Sequence, residues 1–305
     1  MGANESYILT QMLSVIIPIY NQNITKLVGE LWDQLRRSKI TFEILCFDDG
    51  SLPHFLKLNR SIESLLYVSY LELKQNKGRS KIRNQLAQNA RYNKLLFLDS
   101  DSVIKSKKFI KNYISYIENY AVICGGRIYP KKAPRSRTKL LHYKYGTIKE
   151  SKSAAVRNKL PLRYFHTNNF VIDRELILRY SFNEAVSTYG YEDLALASTL
   201  LKKGHTIKHI DNPVLHRGIE SSTVFMQKID ESIDNLVFFY KIRSIDKTPL
   251  IRSFELLNKA KATGLYSRCY EKCEQRIVKN LLSESPSLRC LDFYKLYQFI
   301  QKMQL

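Results

Sequence analysis

The run SVIIPIY at residues 14–20 is β-branched and almost unbroken in apolar character. Only a strand covered on both faces carries such a run comfortably. It is the first of a series. FEILCF (42–47), YVSYLEL (67–73), KLLFLD (94–99) and AVICGG (121–126) repeat the pattern. Helical patterns separate them: ITKLVGELWDQLRRSK (24–39), a short one near 53–64, RSKIRNQLAQNARY (79–92) and SKKFIKNYISYIENY (106–120). Strand and helix alternating at this spacing predict an α/β fold on a parallel sheet. Ligands of open parallel sheets collect at the carboxyl ends of the strands. Two acidic turns, DDGS (48–51) and DSDS (99–102), fall at such ends.

The alternation breaks after residue 127. Residues 127–163 hold 12 Lys and Arg against one acid, Glu150, and so carry about half of the chain's net charge of +21. A stretch this long and basic, punctuated by prolines, reads as a mobile or substrate-covering segment. Its field calls for an anionic partner: nucleic acid, anionic lipid or a phosphorylated substrate. Order returns with FHTNNFVIDRELILRY (165–180), then a loop leading to a helix over 187–204, and short strands in HTIKHI (205–210) and NPVLHRG (212–218). Beyond about 219 the pattern is helical, with a break at Pro249.

With 44% hydrophobic residues the chain can bury a large core, which excludes global disorder. No apolar run nears the roughly 18 residues a membrane span needs. The N-terminal MGANESYILTQML has neither a basic start nor a long apolar core, so a secretion signal is not expected. It does fit the loose myristoylation pattern through Gly2 and Ser6. Five scattered cysteines without a CxxC pair suggest a reduced, cytoplasmic protein with no structural zinc, Cys46 and Cys124 being core residues.

The chemistry concentrates in a few places. On a strand, Asp99 and Asp101 stand two apart and aim at one object. Carboxylates that close repel unless a proton or cation lies between them. A hard divalent cation, Mn²⁺ or Mg²⁺, bridging to substrate phosphates meets that need. Asp48 and Asp49, at a glycine turn, can accept hydrogen bonds from a nucleobase or ribose. In NKGRSKIRN (76–84), Arg79 and Arg83 lie four apart on one helix face and can meet a nucleotide. Glu192 and Asp193 open a helix, where the dipole favours acids and where a general base beside a metal site would stand. His216 closes the apolar run PVL and can offer a ring nitrogen to the metal. Asn168 and Asn169 put two amides at a strand end before the helix that Glu192 opens. Taken singly, each motif is also an ordinary turn, helix start or solvated face.

In order and spacing, SVIIPIYNQ, FDDGS, NKGRSKIRN, FLDSDS, TNNFVIDR, YGYEDLALASTLLKKG and NPVLHRG resemble the family 2 glycosyltransferases of the GT-A fold, over residues 12–218. The resemblance implies a Rossmann-like mixed, mostly parallel sheet flanked by helices. It also implies a nucleotide-sugar donor, usually a UDP-sugar, a divalent metal, and inversion at the anomeric carbon. Pro18 and Tyr20 would line the nucleoside pocket and Asp48–Asp49 would hold the base. Arg83 and Asn84 would sit beside the nucleotide, with Ile82 where the family usually has alanine. Asp99 and Ser100 would face the ribose and diphosphate, while Asp101, with Asp99 and His216, would bind the metal. Asp193, after Glu192, matches the usual candidate base, and Asn168 and Asn169 would contact sugar hydroxyls of the acceptor. DSDS lacks the common third acid.

The expected layout is therefore a catalytic domain over 1–218, with a basic acceptor-side insert at 127–165, and a helical extension over 219–305. The expected partners are a nucleotide-sugar donor and a glycan or lipid-linked acceptor, in surface polysaccharide or glycoconjugate synthesis. The setting is cytoplasmic, with the basic stretch and VFFYKIR (237–243) drawn to the anionic inner face of the membrane. Two alternatives stand. A sugar-phosphate nucleotidyltransferase would carry a glycine-rich, lysine-containing loop where this chain has IYNQN. A nucleic-acid-binding protein would show a recognisable binding motif, and none is present.

Overall fold

The first apolar run becomes Met12–Ile19 (β1), near the middle of a seven-stranded sheet, with Leu13 to Ile17 all buried. The computed structural model describes residues 11–304 apart from Ser187, so Gly2 and Ser6 lie outside the described residues. Strand β1 pairs in parallel with Thr41–Asp48 (β2) and Lys94–Leu98 (β4), and β2 pairs in parallel with Val68–Glu72 (β3). Beyond β4 come Asn169–Asp173 (β8), Val122–Cys124 (β6) and Lys208–His209 (β9), giving the order β3-β2-β1-β4-β8-β6-β9. Strand β8 is antiparallel to both neighbours, so the sheet is mixed but mainly parallel. A second sheet has the order β5-β10-β7, from Ser102–Ile104 (β5), Val214–His216 (β10) and Arg127–Ile128 (β7).

The pleat sorts β1 between two cores. Leu13, Val15, Ile17 and Ile19 pack with Thr25–Ser38 (α1) and Phe109–Ile114 (α4). Ile16 points the other way, toward Arg79–Asn89 (α3), Arg174–Arg179 (α7) and Glu192–Lys202 (α8). Each fully buried aliphatic side chain contributes roughly 1.5–3 kcal/mol relative to exposure. Pro53–Asn59 (α2) continues as a 3₁₀ turn over Arg60–Ser64 in place of one helix to 64. A third core joins Leu141, Val186 and Ala195 to the C-terminal helices Ser222–Lys241 (α9), Pro249–Lys259 (α10), Thr263–Leu281 (α11) and Leu288–Gln304 (α12). Pro249 is the first residue of α10, behind a Thr248 cap that accepts the Ile251 N–H at 3.0 Å.

Several expectations are corrected. The helix expected over 106–120 is helical only across α4, because the Ser115 hydroxyl donates back to the Asn112 carbonyl and tighter turns follow. Helix α3 stops at Asn89, not 92, where the buried Glu43 carboxylate and Ser14 hydroxyl accept the N–H groups of Arg91 and Tyr92.

The largest correction concerns 127–163, which is folded rather than an open covering segment. It contains β7, a 3₁₀ turn, Leu140–Tyr145 (α5), a π turn and Ala154–Lys159 (α6). Arg157, on α6, is 2% exposed. It donates to the carbonyls of Cys124, Gly125, Ile210 and Lys152 at 2.7–3.2 Å, and its Nη1 lies 2.8 Å from His209 Nδ1. Gly126, at φ +87°, makes room: a Cβ there would lie 2.7 Å from the guanidinium carbon.

The stretch VFFYKIR buries Val237 and Phe239 in the third core and exposes only Phe238 and Ile242 among its large apolar side chains. No helix among the described residues is long and apolar enough to cross a membrane. Cys46 and Cys124 are buried in the sheet.

Candidate active site

Strands β1, β2 and β4 end at one edge of the main sheet. Register places Ile19 beside Asp48 and Ile16 beside Phe97, so Tyr20, Asp49 and Asp99 emerge together. A cavity of about 750 Å³ opens there, with Pro18, Tyr20 and Asp49 on its wall at one end. Tyr20 is half exposed.

Asp48 does not share that wall. It is fully buried and accepts from Ser51 N–H at 2.7 Å and the Tyr70 hydroxyl at 3.1 Å. The expectation that both aspartates hold the base is therefore corrected: successive residues point to opposite faces, so one faces inward. Asp49 accepts from the N–H groups of Lys77 and Gly78 at 2.7 and 3.1 Å. Burial pushes its carboxyl up, against the pull of those two N–H groups.

Asp99 and Asp101 also face apart. Beyond Leu98 the chain turns, with Ser102 N–H donating to the Asp99 carbonyl, so strand alternation no longer applies. Asp99 meets Arg83 Nη2 at 2.9 Å and Arg79 at 3.9 Å. Burial raises its carboxyl, but Arg83, Arg79 and Arg127 together hold it below the usual range. The other face of Arg83 meets Glu192 Oε1 at 3.2 Å, and Arg79 reaches the same oxygen at 3.6 Å. Two arginines and two acids thus form one knot beneath the cavity. Asp99, Ser100, Asp101, Arg79 and Arg83 all line the cavity.

Asp101 turns instead to His216, its Oδ2 lying 3.1 Å from Nδ1. The small sheet causes this, because β10 pairs His216 with Ser102. Gly218 completes the cradle: a Cβ there would strike the Asp101 carboxylate. One carboxylate and one imidazole facing an open cavity are a donor pair that would suit a divalent cation. Among the described residues no three His, Cys, Asp or Glu side chains converge on one point, so Asp99 stands with the arginines rather than with this pair.

Neither Asp193 nor Glu192 belongs to the cavity wall. Asp193 accepts from Leu194 N–H at 2.7 Å, and its Oδ2 lies 3.5 Å from His166 Nδ1. Burial raises its carboxyl, but His166, the Leu194 N–H and Arg127 outweigh that and hold it low. Neither Asn168 nor Asn169 lines the cavity. Asn169 is 1% exposed, donates to the carbonyls of Gly126 and Asn212 and accepts from the Tyr113 hydroxyl, so it cannot serve an acceptor sugar. Asn168 is buried with its Oδ1 unpartnered. Asn84 is likewise buried, donating to Phe182 O and Glu184.

The far wall was not foreseen in detail. The insert supplies Arg127, Lys139 and His142, and α9 supplies Phe225 and Lys228. Arg127 meets Glu150 at 3.2 Å, and the Tyr129 hydroxyl donates to the same carboxylate at 2.5 Å. Burial works against the ionised Glu150, yet Arg127, His166 and Tyr129 hold its carboxyl down to about 2. His142 stacks on Phe225 at 4.5 Å and accepts the Glu220 N–H through Nδ1. Burial and the neighbouring His216 push the His142 imidazole down to about 4, so it is neutral. Arg217, directly after His216, was within reach of the sequence pattern, whereas nothing in FHTNN marked His166.

Residues 14–181 match the family described as Glycosyl transferase family 2. The chain is 26% identical over 282 residues to the uncharacterized glycosyltransferase YfnE of Bacillus subtilis, spanning 76% of this chain and 72% of that protein. Among solved structures it is similar in fold to the mannosyltransferase PcManGT of Pyrobaculum calidifontis in complex with GDP-Man and Mn²⁺. That match has a TM-score of 0.52 at 16% identity and covers 96% of this chain and 84% of the other. It is also similar to residues 1–349 of S. aureus TarS in complex with UDP-GlcNAc, with a TM-score of 0.51 at 18% identity over 96% and 90% of the two chains.

Proposed function

This chain belongs to glycosyl transferase family 2, and from that premise we propose that it moves a sugar from a UDP-sugar to a hydroxyl of a glycan or lipid-linked acceptor, inverting the anomeric carbon. The observation that carries the reading is the cavity at the carboxyl ends of β1, β2 and β4, with the Asp101–His216 pair on its wall. Family membership displaces the nucleotidyltransferase and nucleic-acid-binding alternatives.

In this reading the nucleoside lies at the Pro18, Tyr20 and Asp49 end. Arg79 and Arg83 hold Asp99 ionised beside the ribose and diphosphate. Asp101 and His216 would hold the cation, and a bound Mn²⁺ or Mg²⁺ would supply positive charge to the departing diphosphate. Mn²⁺ in the PcManGT complex supports a divalent metal without choosing between the two. Asp193 takes the acceptor's proton at Oδ2, the oxygen left free by the Leu194 N–H and oriented by His166. The acceptor hydroxyl then displaces the diphosphate in one step, with no covalent intermediate on the protein.

The acceptor enters at the far wall. Lys139, Arg217 and Lys228 there suit an acceptor that carries phosphate, such as a diphosphate-linked lipid. The exposed Lys131, Lys132 and Arg135 beside that wall would meet an anionic membrane surface. We keep the division at 218 as a proposal, with α9 contributing to the catalytic cavity. The test is a panel of nucleotide sugars assayed for metal-dependent hydrolysis or transfer. Turnover of a UDP-sugar is expected, and metal-independent turnover of none but another nucleotide's sugars would overturn the donor and metal reading together.

A further inference from the structure

Lys228, Glu231, Ser232 and Asn235 stand at i, i+3, i+4 and i+7 of α9, a spacing that puts them in one stripe. All four touch a single stretch of chain, residues 188–190. Lys228 Nζ lies 5.2 Å from the Tyr189 ring centre. Glu231 accepts the Tyr189 N–H at 3.3 Å. Ser232 packs so close to Gly190, at φ +107°, that a Cβ there would lie 2.5 Å from the serine Cβ. Asn235 makes three hydrogen bonds: Nδ2 donates to the carbonyls of Tyr189 and Gly190 at 3.1 and 3.0 Å, and Oδ1 accepts from the Thr188 hydroxyl at 3.0 Å. The asparagine is 6% exposed while the loop it serves is half-buried to exposed, so the amide itself has little water to turn to if these bonds are unmade.

The stretch held in this way is the entry to α8. The Gly190 N–H goes on to Glu192 Oε2 at 3.0 Å. Tyr191 takes a left-handed φ of +65° immediately before the first helical residue. Glu192 and Asp193 follow, the first gripping Arg83 and the second facing His166. Tyr189 meanwhile lies between two cations, with Arg79 Cζ 4.9 Å from its ring centre on the donor side. One face of α9 therefore reaches both acids and a donor-side arginine through three residues of loop.

We infer that Asn235 is a positioning residue of the transferase: through Thr188, Tyr189 and Gly190 it sets where α8 begins and hence where Asp193 stands. The inference rests on the reading of Asp193 as the base. An amide suits the task, because it serves two carbonyls and one hydroxyl at once. Aspartate would set a carboxylate against two carbonyl oxygens, and alanine would leave all three groups without a partner. The helical C-terminal part thus takes part in catalysis without touching substrate.

The test compares Asn235→Ala and Asn235→Asp with wild type by three readouts. Hydrogen exchange of the peptide spanning 188–195 should quicken in both variants while the rest of α8 stays protected. Turnover should fall by roughly 10- to 100-fold, the scale of a small misplacement of reacting groups. UDP affinity by calorimetry should stay within about twofold, as expected of a contact that sets geometry rather than binds. Unchanged turnover in Asn235→Asp, or UDP affinity falling in step with turnover, would overturn the proposal. Should Asn235→Ala not fold, Thr188→Val removes one of the three bonds from the exposed side and should give a smaller fall in the same direction. Asp193→Asn is run alongside. If it keeps full turnover the base assignment fails, while the exchange measurement still decides whether Asn235 holds the loop.

Discussion

Arg83 Nη2 meets Asp99 Oδ1 at 2.9 Å while the arginine itself is 2% exposed. The guanidinium also holds the buried Glu192, so its removal leaves two carboxylates with only the longer contacts to Arg79. Arg83→Met should destabilise the fold by roughly 3 kcal/mol, the low end for a broken buried pair because Asp99 keeps some contact with solvent. Because the folded-state carboxyl of Asp99 is held below its usual value, this stabilisation is present above about pH 4 and fades as pH falls below it. Urea unfolding of both proteins at neutral pH and near pH 3 checks this, and an equal gap at both would contradict it.

Metal and donor binding should be coupled through Asp101. UDP alone should raise the melting temperature weakly, and UDP with Mn²⁺ or Mg²⁺ clearly more. Asp101→Ala should abolish the metal-dependent increment and leave the apo fold intact. A full increment in the variant, read by thermal shift, would remove Asp101 from the metal site.

Asp193 should govern chemistry rather than binding. Asp193→Asn keeps shape and helix start but accepts no proton, so kcat should fall roughly 10²- to 10⁴-fold with donor affinity near normal. The interaction with His166 keeps the Asp193 carboxyl low, so the acid limb of the pH–rate profile should lie below about pH 4. His166→Gln removes that support, and the limb should move to higher pH. A limb that stays in place would mean that His166 does not govern this proton.

The exposed basic residues beside the far wall should bind anionic vesicles in a salt-sensitive way and neutral vesicles hardly at all. Lys131, Lys132, Arg135, Arg137 and Lys139 changed together to Ser should lose the interaction, each cation near the surface contributing about 1 kcal/mol. Arg137 pairs with Glu284 and Lys139 lines the cavity, so the triple change at 131, 132 and 135 isolates the surface effect. Sedimentation with liposomes measures it. Equal binding to neutral vesicles would leave the charge without a membrane role.

The strands of the main sheet were legible because buried strands need long apolar runs, and SVIIPIY or KLLFLD allows little else. The two acidic turns were found for the same reason, since each follows such a run. What escaped depends on contacts between distant segments. His166 and Asp193 are 27 residues apart and meet only through the fold, as do Arg157 and the carbonyls it gathers. The helices of the insert are six residues each, too short for a periodic signature to separate them from loop. The Asp48–Asp49 split was readable in principle, because neighbours on a strand cannot both face one ligand. The same rule misled at Asp99 and Asp101, where the chain had already left the strand.

Gly126 and Arg157 have a consequence for anyone wishing to exchange residues 127–163 of this enzyme with those of a relative. The insert is not a detachable module, since its second half sends a guanidinium back to close the ends of strands that the catalytic sheet owns. A transplant cut anywhere between 126 and 157 would set a foreign side chain against that guanidinium or leave a nest of carbonyls empty. The segment can be regrafted here only if the glycine and the arginine travel as a pair.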